Sequence, residues 1–294
     1  RTVLRPEDVF ALLNKMLHKK GLLTEDQNFM EMRNNIRCNY VSKYYSLDEL
    51  YEQLEKVYAL KSTVIEDIYN EEITLEKKMI LPRDIMVKLY HSLAQKNKEL
   101  YIVSDMYLPK KIIVQILGNV GINISEKQVI LSNELKMEKS DGTLWEYYSK
   151  NIVLGKKAIH IGDDENTDIS MAIKYGIEAY RVMSVADMLK NSSVKELYAI
   201  CANEVESLVI GKVIAKLFNN PFSLNQTRGQ VVFEDKELWG YCIWGNVINS
   251  YNNWLINMSK AEGINRLFFL ARDGYLLKQC YDYFVSLCPA ENLP

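Results

Sequence analysis

The sequence predicts an α/β protein in which a helical segment comes first and a parallel sheet of short strands follows. Three observations carry this. Residues 6–97 repeat their apolar side chains at helical spacing, with no convincing strand before residue 99. From Leu100 onward, short apolar runs alternate with helical stretches, the pattern of a parallel sheet covered on both faces. The polar clusters fall at the carboxyl ends of those runs, where open α/β sheets bind ligands.

Pro6-Glu7-Asp8 suits a first helical turn, with acidic groups at the positive end of the helix dipole. Val9, Phe10, Leu12, Leu13, Met16 and Leu17 recur at helical spacing, and Gly21 stops the run. A second helix is expected over Glu25–Lys43. Ser46-Leu47-Asp48-Glu49 reads as a capping box opening a third. Another helical stretch follows, and Pro82 marks a break before Arg83–Gln95. Strands are predicted at 100–103, 129–131, 158–161 and 178–182, with helices near 110–118, 142–150 and 168–175 between them. Residues 184–262 read as helical again, with a turn-rich stretch over Asn219–Gly229. Leu238–Met258, interrupted by Asn246, Asn249, Asn252 and Asn253, is expected to be an amphipathic helix with an aromatic face. Arg266–Leu270 reads as a further strand. The expected organisation is a helical region over 1–97, an α/β core over 98–188, and a helical linker with the start of a second α/β domain over 189–294.

Composition removes several function classes. Of 294 residues, 36 are basic and 38 acidic, a net charge of −2 that gives no footprint for nucleic acid. Five scattered cysteines (Cys38, Cys201, Cys242, Cys280, Cys288) form no CxxC pair and read as reduced thiols of a cytoplasmic protein. Three histidines are too few for a His-rich metal site. No apolar run approaches the roughly 20 residues of a membrane span.

The chemistry concentrates after the strand at 158–161. Gly162-Asp163-Asp164-Glu165-Asn166-Thr167-Asp168 sets four acids in seven residues. Their repulsion calls for a cation, and hard carboxylate oxygens on a tight turn suit Mg²⁺; the plainer alternative is an acidic turn capping the next helix. Lys139, or alternatively Lys136, stands before a helix where it can reach the same crevice and neutralise phosphate charge. Ser104, at a strand end before Asp105, offers a hydroxyl and backbone N–H groups to a phosphoryl oxygen, or merely caps a turn.

Together, Val103-Ser104-Asp105-Met106-Tyr107-Leu108-Pro109, Lys139-Ser140-Asp141-Gly142-Thr143-Leu144 and His160-Ile161-Gly162-Asp163 with Asp168 resemble motifs two, three and four of the haloacid dehalogenase-like (HAD) superfamily. The likeness covers residues 1–185 and is to a subfamily of predicted hydrolases associated with bacterial glycan-assembly loci. It implies a HAD-like Rossmannoid sheet, with residues 1–97 as a helical cap. It implies Mg²⁺-dependent hydrolysis of a small phosphorylated metabolite, such as a sugar phosphate, through an aspartyl-phosphate. Carried over, Asp163 is a metal ligand, with Asp168 binding directly or through water and Asp164 a further candidate. Ser104 and Asp105 face the phosphoryl group, and Lys139 steadies its charge.

The family's DxD motif, which carries the nucleophile, does not precede the cap. It is expected upstream of Arg1, on a strand at the centre of the sheet whose loss would expose strand edges. The alternative is a non-catalytic HAD-derived scaffold or regulatory module with a glycosyltransferase partner. Phe268-Phe269-Leu270-Ala271-Arg272-Asp273-Gly274 resembles a degenerate first motif. It reads as the start of a second domain, as a further site around Arg272 and Asp273, or as a filler for the vacant central strand.

Overall fold

A computed structural model describes residues 2–233 and 235–287; Cys288 lies outside them. The chain divides into two compact units, Arg1–Val231 and Val232–Pro294.

The first unit opens with five helices: α1 (Asp8–Lys19), α2 (Phe29–Asn39), α3 (Leu47–Tyr58), α4 (Ser62–Met79) and α5 (Asp84–Gln95). Their apolar stripes meet in one core, in which Val9, Leu13, Leu17, Ile36, Leu47 and Leu50 are wholly buried. Each such side chain contributes about 1.5–3 kcal/mol. Helix α2 is shorter than the predicted Glu25–Lys43, because the Asn28 side chain accepts the Glu31 N–H at 3.3 Å and sets the start. The capping box of α3 forms in both halves: Glu49 N–H donates to Ser46 Oγ at 3.1 Å, and Ser46 N–H to Glu49 Oε2 at 2.8 Å.

The α/β region follows as β1 (Ile102–Ser104), α6 (Lys110–Asn119), β2 (Val129–Leu131), α7 (Ser132–Leu135), α8 (Thr143–Tyr148), β3 (Ile159–Gly162), α9 (Met171–Lys174) and β4 (Glu178–Arg181). Helices α10 (Val185–Lys190) and α11 (Glu204–Leu217) complete the unit. All four predicted strands form, and all pairing is parallel. β1 pairs with β2, Ser104 opposite Leu131, and β3 pairs with β4, Gly162 opposite Arg181. They make two separate two-stranded sheets, however, rather than one continuous sheet. Nor are the strands uniformly buried. β2 is buried throughout, whereas Ile159 is 60% and Tyr180 51% exposed. A parallel pair without further strands keeps open edges and incompletely covered faces. Side-chain packing bridges the pairs: Val103 of β1 joins Ala158, Ala179 and the buried Trp145 in one cluster.

The second unit contains α12 (Lys236–Trp239), which runs on through 240–244 into α13 (Gly245–Ala261), and then α14 (Gly274–Ser286). The amphipathic helix is present, with Trp239, Trp244 and Trp254 exposed. The strand predicted at Arg266–Leu270 is not: the segment joins no ladder, and Phe268 and Leu270 are 84% and 80% exposed. An apolar run becomes a strand only where a neighbouring backbone completes its hydrogen bonds, and no described residue supplies one. Among the described residues no helix is long and apolar enough to cross a membrane.

Candidate functional site at the strand ends

Gly162 closes β3, and the chain turns so sharply that Asp168 folds back over it. A Cβ on Gly162 would sit 2.5 Å from Asp168 Cβ and Cγ, so the turn admits only glycine. The turn is held from within. Asp164 accepts the N–H groups of Asn166 (2.9 Å) and Thr167 (2.7 Å), and these hold its carboxyl below the ordinary range. Asp164 is therefore a cap, the plainer of its two readings.

Asp168 is the centre of the arrangement, its side chain only 5% exposed. Its Oδ1 accepts Lys139 Nζ at 2.7 Å and lies 3.1 Å from His160 Nε2. Its Oδ2 accepts the backbone N–H groups of Asp163 (3.3 Å) and Asp164 (3.2 Å). Burial alone would raise the pKa of this carboxyl; the hydrogen bonds from His160 and Lys139, with the ammonium charge, outweigh it and hold the group far below the usual carboxylate range.

The neighbouring acids behave oppositely. Burial, then the charge of Asp168, pushes Asp163 up. Asp105 is raised by burial against the opposing charge and backbone N–H of Lys139, and it too feels Asp168. Lys139, Asp105, Asp163 and Asp168 thus share one electrostatic site, although they come from three segments of the chain. Ser104 precedes Asp105 at the end of β1. Lys136, the alternative lysine, turns away to the Tyr44 carbonyl (3.0 Å) and Glu49 (3.3 Å).

Several supporting residues carry no motif that sequence reading registers. Trp145 donates its indole N–H to the Thr167 carbonyl at 2.7 Å and sets its ring 4.6 Å from that of His160, fixing the imidazole against Asp168. Gly142, at φ +83° beneath Tyr175, opens the helix carrying Trp145. Arg181 donates to the Asp163 carbonyl at 3.1 Å, and the Arg83 guanidinium lies within the field of Asp163. The signal for His160 was available: one of three histidines, two residues before a strand-ending glycine. Nothing local distinguishes Arg83 or Arg181. The buried Asn133, just after β2, donates to the Tyr107 carbonyl at 3.4 Å, and its Oδ1 has no protein partner. Asp273 lies in the second unit, 79% exposed, with the adjacent Arg272 3.4 Å away.

Among the described residues no group of three or more His, Cys, Asp or Glu side chains is arranged to hold a metal ion. Asp168 has both oxygens occupied by protein donors, so in this arrangement it supports the turn. Asp163 and Asp105 offer hard oxygens whose ionisation is opposed by burial, and a cation would relieve that. Two carboxylates would leave most of the shell of a hard cation such as Mg²⁺ to other oxygens, so they do not form a closed protein cage. No family profile matches the chain, and no curated protein is similar to it.

Proposed function

We propose that the chain is the cap and core of a HAD-type, Mg²⁺-dependent phosphomonoester hydrolase acting on a small phosphorylated metabolite, with a sugar phosphate as the leading class. The observation that carries this reading is the convergence on Asp168 of Lys139, from 29 residues earlier, with Asp163 and Asp105 in the same field. In this reading Ser104 donates its hydroxyl to a phosphoryl oxygen. Lys139, oriented by Asp168, neutralises phosphoryl charge, and Asp163 holds Mg²⁺. The ion, when bound, would stabilise the equatorial oxygens of the transferring group. In the family that the sequence resembles, the nucleophilic carboxylate belongs to a DxD motif, which residues 1–294 do not contain. That carboxylate would attack phosphorus, the ester oxygen would leave as the alcohol by taking a proton from the second acid of the same motif, and water would then cleave the acyl phosphate.

The test is turnover of p-nitrophenyl phosphate, with and without Mg²⁺, by a protein that carries the DxD motif together with residues 1–294. Lys139→Ala and Asp163→Asn are each expected to lower turnover at least tenfold, about 1.4 kcal/mol. Unchanged turnover removes both roles. The occupied oxygens of Asp168 favour a second reading, a non-catalytic scaffold partnered with a glycosyltransferase. Absence of any Mg²⁺-dependent turnover of phosphoesters selects it.

A further inference from the structure

A cavity of about 440 Å³ opens among the first helices, within the size range of small-molecule pockets. Phe10 of α1, Arg33 of α2 and the rings of Tyr45 and Tyr107 are among its lining. Arg33 is the unusual member: only 4% exposed, it sets a buried guanidinium among rings.

That guanidinium is fixed in place but not fully used. Nη2 and Nε lie 3.0 and 3.3 Å from the two oxygens of Glu72, which is wholly buried and accepts the Tyr51 hydroxyl at 2.8 Å. Its carbon sits 3.9 Å from the centre of the Phe10 ring and 5.0 Å from that of Tyr107. Tyr45 stacks on Tyr107 at 5.9 Å, with 17° between the planes. Nη1 differs from the other two nitrogens. It donates to no described residue, and it is not sealed from solvent; the cavity that Arg33 lines is where it opens.

Two features set the complement. A guanidinium nitrogen donates and never accepts, so the ligand must present an acceptor to Nη1. Glu72 already balances the charge of Arg33, so an anion there would gain from the cation and lose to the buried carboxylate beside it, whereas a neutral oxygen meets no such opposition. The walls are aromatic, and a further ring packs on them by offset or edge contacts worth about 0.5–1.5 kcal/mol each.

We infer that this cavity binds a flat aromatic ring bearing an uncharged carbonyl oxygen, an aromatic amide in its simplest form, with the oxygen on Arg33 Nη1 and the ring against Phe10, Tyr45 and Tyr107. The inference goes beyond the phosphoester reading and does not depend on it.

Ligand-observed NMR titration in Mg²⁺-free buffer tests it, with benzamide, toluene, acetamide and benzoate as probes. Benzamide is expected to bind saturably, at least tenfold more tightly than toluene, which lacks the acceptor, or acetamide, which lacks the ring. Benzoate should bind no more tightly than benzamide. Tyr45 is half-buried and outside the Arg33–Glu72 pair, so Tyr45→Ala should keep the fold and weaken benzamide at least threefold. Arg33→Met combined with Glu72→Gln removes both charges together and should leave benzamide and toluene binding alike. If that double variant loses its circular dichroism spectrum, the probe order and Tyr45→Ala decide. No binding of benzamide, equal binding of benzamide and toluene, tighter binding of benzoate, an unchanged affinity in Tyr45→Ala, or a benzamide preference that survives in the folded double variant overturns the assignment.

Discussion

Asp168 and Asp163 are five residues apart on one turn, yet their environments push them in opposite directions. Asp168 accepts four donors, so its ionised form is stabilised by folding; Asp163 is buried beside that negative charge, so its ionised form is penalised. Asp168→Asn is therefore expected to destabilise the first unit by about 3 kcal/mol, the lower end for breaking a buried charge pair, read as a fall in melting temperature. Asp163→Asn at pH 7 should leave melting temperature unchanged or raise it. The pH dependence follows with the same signs. The stabilisation from Asp168, whose folded pKa is depressed, is complete above the unfolded value of about 4 and is lost as pH falls below it. Asp105 and Asp163, whose folded pKa values are raised, favour the folded state most below that value and lose the benefit as pH climbs through their raised pKa values. Abolishing the acid-limb loss in Asp168→Asn, measured by denaturation between pH 2 and pH 5, checks the assignment. The acid cluster was legible in the sequence because four carboxylates in seven residues demand compensation. The division of labour among them was not, since it depends on Lys139 and His160 arriving from other segments.

Elements with local signals were the legible ones. Ser46 and Glu49 announce a helix start by side-chain chemistry alone, and both halves of the box form. Ser46→Ala is expected to cost about 1 kcal/mol in urea unfolding, with no change at the strand ends. The strands at Ile102–Ser104 and Val129–Leu131 were equally readable, as short apolar runs bounded by polar turns. Sheet continuity was not readable, because pairing depends on which backbones lie alongside one another. The same limit explains Arg266–Leu270, strand-like in composition and yet unpaired. Gly162 ties the element scale to the site. Its replacement by Ala would force Asp168 off the turn, so Gly162→Ala should resemble Asp168→Asn in its loss of stability.

At the scale of the molecule the two units differ in how they treat apolar surface. The first buries a continuous helical core; the second leaves Trp254, Phe268, Leu270 and Tyr283 largely exposed. Exposed apolar patches of this kind drive association. Sedimentation is expected to show concentration-dependent self-association, reduced when Phe268 and Leu270 are both replaced by serine. The strand ends of the first unit carry the functional account. The most direct test of the central claim is titration of Mg²⁺ into the protein in the presence of inorganic phosphate, followed by calorimetry. The account predicts saturable binding that Asp163→Asn weakens at least tenfold. No Mg²⁺ binding, or the same affinity in Asp163→Asn, would contradict it.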